Sequence, residues 1–332
     1  LNEADLVGTI ARLLPAAPPD VVAGIGDDAA VVRIGERLAL LSTDMLVERV
    51  DFDRSTITAR DLGYRAVAVN LSDIAAMGGS PRYCLVALGM PPDPDPAWFV
   101  ELISGMVEAA REHAVSIVGG DLSRSDGVVL SVTVTGEALP GAVVYRSGAQ
   151  PGDRLVVTGR LGAAAGGLRL LAAGPREAAR ARAAGWGRDL LDAQCRPAAR
   201  VAEGQVLARA GATAMIDVSD GLAKDLGRLC EASRVGALVR VARLPVAAGL
   251  EGLRDLTNVE PLDLALYGGE DFELLATLPA RAVEGATATL AERFGTALTD
   301  IGETRANPVV VAATDDGVER PLVPDGWDHF GA

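Results

Sequence analysis

Aspartates and glycines recur together along this chain in short turns of a kind that can hold a phosphate or a metal ion. The first is Gly24-Ile25-Gly26-Asp27-Asp28-Ala29. It satisfies G-x-G-x-x-A, with Asp44 placed where a dinucleotide site would have its ribose-binding acid. The residues that follow, 30–34, form an apolar β-like run closed by Gly35-Glu36. A dinucleotide fingerprint would instead open a helix. Two adjacent carboxylates would also repel an unmetallated pyrophosphate, so Asp27 or Asp28 is expected to ligate a metal. Asp44 follows the apolar run 38–41 and the hydroxyls of Ser42 and Thr43, which places it where a strand runs out; a turn or cap aspartate fits the same pattern. Asp73 lies on the stripe of Leu62, Ala66, Val69 and Met77 in a helical stretch, so a carboxylate sits on a face that should be buried. It needs a metal, an arginine or several donors opposite it, and Asn70 is one turn away. A buried ion pair is the alternative.

Three further turns repeat the theme. Gly119-Gly120-Asp121 follows residues 116–118 and is expected as a turn whose N–H groups approach a ligand while Asp121 faces the same spot. Asp217-Val218-Ser219-Asp220-Gly221 joins a strand to a helix; Ser219 or Asp220 could cap that helix, but capping does not require Asp217. Gly268-Gly269-Glu270-Asp271 carries two more acids ahead of another strand.

Absences narrow the chemistry. There is no G-x-x-x-x-G-K-[ST], and the one lysine, Lys224, lies in a helical stretch, so positive charge for a phosphate falls to arginine, with Arg146 well placed. The histidines number two, His113 and His329, and the three cysteines, Cys84, Cys195 and Cys230, form no C-x-x-C pair. That argues against zinc, a disulfide framework and a Ser-His-Asp or Cys-His centre; the cysteines read as structural thiols. Any metal is held by oxygen. The net charge of −14 opposes nucleic-acid and anionic-membrane partners.

The elements that must position these acids alternate along the chain, which reads as α/β. Strands are expected at 38–41, 116–118, 128–134, 154–157, 214–218 and 273–277, and helices at 58–77, 96–113, 176–184, 196–210 and 222–233. The Ala- and Arg-rich stretch 174–187 reads as solvated surface, an exposed helix or an insertion. At 332 residues two domains are expected. The Gly- and Pro-rich segment 138–153 marks the boundary, near Gly148, giving domains 1–147 and 148–332. No apolar run reaches membrane-spanning length, and residues 1–15 lack the order of a secretion signal, so a cytoplasmic location is expected.

Eight stretches taken together resemble the thiamine-monophosphate kinase family: GIGDDAA (24–30), STDMLVE (42–48), AVNLSDIAAMGG (68–79), VGGDLSRS (118–125), YRSGAQPGD (145–153), IDVSDGLAKDL (216–226), YGGEDFELL (267–275) and GWDHF (326–330). The resemblance implies an aminoimidazole-ribonucleotide-synthetase-like, or PurM-like, fold of two α/β domains. It implies a homodimer formed by N-terminal domains that bind ATP and several Mg²⁺ ions, and direct transfer of the γ-phosphoryl group to thiamine phosphate with no protein nucleophile. Carried over by motif, the metal ligands would be Asp28, Ser42, Thr43, Asp44, Asp73, Asp121, Asp217 and Asp220. Gly120, Asp121, Arg146 and Ser219 would touch nucleotide, and Asp51, Glu270 and Trp327 would lie on the substrate side. The family's Gly-Val-His-Phe reads Arg49-Val50-Asp51-Phe52 here, and its Gly-Gly-Asp-Thr ends in Leu122, so the resemblance implies an altered acceptor contact. Another PurM-like enzyme with a different acceptor is the nearest rival. A selenophosphate synthetase would need a reactive N-terminal cysteine or selenocysteine, and a hydrogenase-maturation relative a C-terminal cysteine; this chain ends WDHFGA. A non-catalytic nucleotide- or metal-binding homologue would have lost aspartates that are all present.

Overall fold

Alternating apolar and polar residues build a sheet with one buried face in the first half of the chain. The computed structural model describes residues 2–139, 141–314, 317–327 and 329, so Pro140 and the Asp328 and Phe330 of the GWDHF stretch lie outside the described residues. Among the described residues, the first sheet contains β1 (Val21–Ala23), β2 (Ala30–Ile34), β3 (Arg37–Val47), β4 (Ser80–Met90), β5 (Ser116–Arg124) and β6 (Val129–Ala138), in the order β1-β2-β3-β6-β4-β5. Pairing is antiparallel except between β4 and β5. In β6, Leu130, Val132 and Val134 are buried while Ser131 and Thr133 are only partly covered on the other face. That second face carries exposed Leu41 and Met45 of β3, Tyr83 and Leu85 of β4, and Val118 of the edge strand β5.

Two helices cover the buried face. Thr58 caps α2 (Ala59–Ala76) by accepting from the Asp61 N–H, and Asp95 with Pro96 starts α3 (Pro96–Glu112). Their backbones touch: a Cβ added at Gly63 would lie 1.9 Å from the Leu102 carbonyl oxygen, and one at Gly105 1.8 Å from that of Arg60. α2 is buried along nearly its whole length because it packs against the first sheet on one side and the second half of the chain on the other.

The second half supplies β7 (Arg154–Thr158), β8 (Ala214–Asp217), β9 (Gly236–Arg240), β10 (Leu274–Leu278), β11 (Leu298–Arg305), β12 (Val310–Ala313) and β13 (Glu319–Pro321). Among the described residues they form one sheet, β13-β12-β9-β11-β7-β10-β8, with only β9 and β12 parallel. β7, β8 and β10 are buried throughout or nearly so, because apolar side chains pack on both faces. One face joins the core of the first half through Val156, Met215, Leu274 and Ala276, and the other packs Leu222, Leu226 and Leu229 of the helix Leu222–Ser233. The molecule is a two-domain α/β protein, as its sequence pattern indicates.

Four expectations are corrected. Asp44 lies inside β3, which runs on to Val47 because β6 pairs with it over its whole length. Gly119-Gly120-Asp121 is no turn but the middle of β5, paired to Leu85, Val86 and Ala87; a Cβ at Gly120 would sit 1.8 Å from the Val86 carbonyl oxygen, so the glycine serves strand pairing. The helix expected at 196–210 starts only at Val201 and ends at Arg209, because Pro197 keeps the residues around it out of the helix, and a separate, unexpected helix, Arg188–Cys195, precedes it. The Ala- and Arg-rich stretch is helical close to where expected, over Pro175–Ala183, but is docked through buried Ala178 and Ala181 rather than solvated all round. Among the described residues no helix is long and apolar enough to cross a membrane.

Candidate active site

Three aspartates from three elements meet between the domains. Asp28 comes from the turn before β2, Asp73 from the last turn of α2, and Asp217 from the end of β8; carboxylate oxygens of all three lie within 4.8 Å of one another. Like charges this close oppose ionisation. Burial, reinforced by Asp44, Asp217 and Asp28, holds Asp73 well above the usual carboxylate range, and burial with Asp28 does the same to Asp217. The neighbours that offset this repulsion are few. Ser42 donates a short hydrogen bond to Asp73, Ser72 donates to Asp217 at 2.6 Å, and Arg146 grips Asp28 with Nη2 and Nε at 2.9 and 3.2 Å. An all-oxygen set of convergent carboxylates is the donor chemistry of a hard divalent cation.

A second acidic group flanks the first. Burial, then Asp51 and Asp220, push Asp44 up to about 6. Its backbone N–H donates to Asn70 Oδ1 at 2.9 Å, while Asn70 Nδ2 donates to the Ala66 carbonyl, so α2 fixes β3 at the site. Asp27, pushed up to about 6 by burial and Asp28, accepts from the Arg146 backbone N–H at 3.2 Å. Asp220 pairs with Arg228 at 2.7 Å and Lys224 at 3.1 Å. Thr43 lines the cleft, but its hydroxyl is engaged by the Val132 carbonyl at 3.1 Å.

These residues line one cleft of about 1110 Å³, which contains Asp27, Asp28, Ser42, Thr43, Asp44, Asp73, Arg146, Asp217, Ser219 and Asp220. Gly120 and Asp121 are outside it, exposed on β5 at the sheet edge. Asp51, Arg65, Glu270 and Trp327 line the cleft and also an adjoining cavity of about 450 Å³. That cavity is walled by Phe52, Ile57, Leu168 and Leu171, so the three substrate-side residues meet where the charged cleft turns apolar. Asp51 is oriented by the Val47 N–H at 2.7 Å, and Trp327, 53% exposed, is tethered by its backbone N–H, which donates to the Asp220 carbonyl at 3.1 Å. Glu270 and Phe272 hold positive φ, +69° and +50°, a costly backbone for non-glycine residues at a ligand-facing turn.

Sequence reasoning missed Arg65, Gln194 and Asp225. Arg65 is buried on α2 and pairs with Glu270 across the domains; it shares its stripe with Leu62 and Val69, the signal that marked Asp73. Asp225 is buried between Leu222 and Leu229 and accepts from the backbone N–H groups of Ser219, Asp220 and Gly221 at 3.0–3.1 Å, fixing the acidic turn. Cys195 lines the cavity, but burial pushes its thiol up to about 11, the state of an inert thiol.

Comparison with known proteins places this site in context. Residues 26–138 match the N-terminal domain of AIR synthase related proteins, and residues 150–314 the C-terminal domain. The chain is 37% identical to thiamine-monophosphate kinase of Escherichia coli K12 over 94% of this chain and 93% of that one, and 35% identical to that of Bacillus subtilis 168 over 99% and 100%. Among solved structures, AaThiL complexed with AMPPCP and TMP superposes with TM-score 0.85 at 30% identity, covering 99% of this chain and 97% of that chain. Escherichia coli HypE, a hydrogenase maturation protein, shares the fold alone, with TM-score 0.68 at 22% identity over 86% of this chain and 84% of its own.

Proposed function

Because the chain belongs to the thiamine-monophosphate kinase family, built from the two domains of AIR synthase related proteins, we propose that it transfers the γ-phosphoryl group of ATP to thiamine phosphate, giving thiamine diphosphate. The observation that carries this reading is the junction of an acid-lined cleft with an apolar cavity through Asp51, Arg65, Glu270 and Trp327. A polyphosphate with metal suits the first space and a heteroaromatic acceptor the second.

In this reading Asp28, Asp73 and Asp217, with Asp44, Asp220, Ser42 and the Thr43 backbone, hold Mg²⁺ ions. Bound Mg²⁺ supplies charge neutralisation for two anionic reactants. Arg146 and Ser219 face the nucleotide, with Arg146 kept at the cleft by Asp28. Asp51, Glu270 and Trp327 orient the acceptor. The acceptor phosphate is already ionised at neutral pH and attacks in line, so no side chain need act as nucleophile.

Gly120 and Asp121 enter this scheme through a homodimer. The exposed apolar face of the first sheet, ending in β5, supports pairing with a second copy, which would bring β5 toward a neighbouring cleft. The division of the chain near Gly148 and a cytoplasmic location, where ATP is at hand, complete the proposal.

The test is to incubate purified protein with ATP, Mg²⁺ and thiamine phosphate and follow thiamine diphosphate by chromatography. Metal-dependent product formation is expected. ATP binding with no product at saturating metal would move the assignment to a different acceptor.

A further inference from the structure

The chain's one lysine, Lys224, sits in the first turn of the helix Leu222–Ser233 and lines the acidic cleft. Its ammonium group meets two partners. It pairs with the Asp220 carboxylate at 3.1 Å and donates to the backbone carbonyl oxygen of Trp327. Asp220 does not depend on the first contact, because Arg228 reaches the same carboxylate oxygen at 2.7 Å. The Trp327 carbonyl does depend on the second: among the described residues no other side chain donates to it.

The segment that carries Trp327 is laid closely along this helix. A Cβ added at Gly227 would stand 3.0 Å from Pro324 Cβ, and one at Gly326 2.4 Å from the Asp220 carbonyl oxygen and 3.0 Å from Lys224 Cβ. The Trp327 N–H donates to that same Asp220 carbonyl at 3.1 Å, so both backbone polar groups of Trp327 are held by residues 220 and 224. Its side chain has little else to fix it. More than half of Trp327 is exposed, residues 323–325 are exposed as well, and its ring contact among the described residues, His329, belongs to the same segment. Yet Trp327 lines both the charged cleft and the apolar cavity. We propose that Lys224 is a positioning residue for the acceptor, holding Trp327 at the junction of the two spaces through the Trp327 carbonyl. This inference rests on the reading of the cavity as the thiamine phosphate site.

The experiment compares wild type, Lys224→Met, Trp327→Ala and the double variant; methionine keeps the helix and the length of the stem and removes the donor. Lys224→Met should raise KM for thiamine phosphate by about 10-fold and leave KM for ATP within about twofold of wild type. In the Trp327→Ala background the same change should add less than about twofold, because the residue it acts through is gone. A rise in KM for ATP alone, an equal rise for both substrates, or an undiminished effect without Trp327 would overturn the proposal. Amide hydrogen exchange needs no acceptor and separates the two readings. Lys224→Met should speed exchange at the Trp327 amide by about 10-fold and leave the amides of α2 unchanged. Equal exchange at Trp327 in wild type and variant overturns the role of Lys224, whereas a wild type that forms no thiamine diphosphate overturns the acceptor assignment.

Discussion

Asp73 concentrates the electrostatics of the site in one residue. Half-buried beside three other carboxylates, it accepts from Ser42, and no arginine or lysine pairs with it among the described residues. Its folded-state pKa, like those of Asp217, Asp44 and Asp27, is raised above the unfolded value. For such groups the contribution to stability is fully present below the unfolded pKa, near 4, and is lost as pH rises through the folded value, about 6 for Asp27 and Asp44. Metal binding needs the ionised forms, so added Mg²⁺ should raise the melting temperature more at pH 7.5 than at pH 5.5. Asp73→Asn should lower kcat by roughly 100- to 1,000-fold. In the metal-free state at pH 7.5 its melting temperature should equal or exceed that of wild type, because a repulsive charge is gone. Scanning fluorimetry and steady-state kinetics check both; a near-normal rate, or a destabilised apo-protein, would refute the role assigned to Asp73.

At the scale of elements, α2 and the first sheet divide the work. α2 carries Arg65, Asn70, Ser72 and Asp73, reaching Glu270, Asp44, Asp217 and Ser42, so one buried helix ties both domains to the site. The charged stripe of this helix was legible in the sequence because a carboxylate among Leu62, Ala66 and Val69 needs an explanation. Its partner choices were not, since Arg65 and Glu270 are 205 residues apart and only the tertiary fold joins them. The sheet's uncovered face carries the dimer proposal. Leu85→Glu places a charge in the middle of that face, on β4, and should shift the protein from twice the chain mass to a single chain mass in light scattering. Wild type already at the single mass would contradict the dimer.

For the whole molecule, the alternation of β-like and helical runs indicated an α/β chain and the acidic turns indicated metal-assisted phosphate chemistry, because several glycine–aspartate turns in a chain with few histidines and lysines leave few alternatives. The glycines of β5 misled in detail: Gly-Gly-Asp has the composition of a turn, yet close approach to the Val86 carbonyl makes it a strand. β4 gave no clear signal either, since it opens with Ser80-Pro81 and takes its pairing from β6 and β5, distant in sequence. At the boundary between charged cleft and apolar cavity, Asp51, Glu270 and Trp327 were named from motif resemblance, but Arg65 and the apolar walls were not, because they come together from both domains only in the fold. In the proposed reaction the phosphoryl group passes directly from nucleotide to acceptor across that boundary. A rapid-quench single turnover with γ-³²P-labelled ATP, thiamine phosphate and Mg²⁺ tests it most directly. Label is expected to pass from ATP to thiamine diphosphate with none on acid-precipitated protein, and chelating the metal to stop the transfer. Label held on the protein before product forms, or label released only as inorganic phosphate, would contradict it.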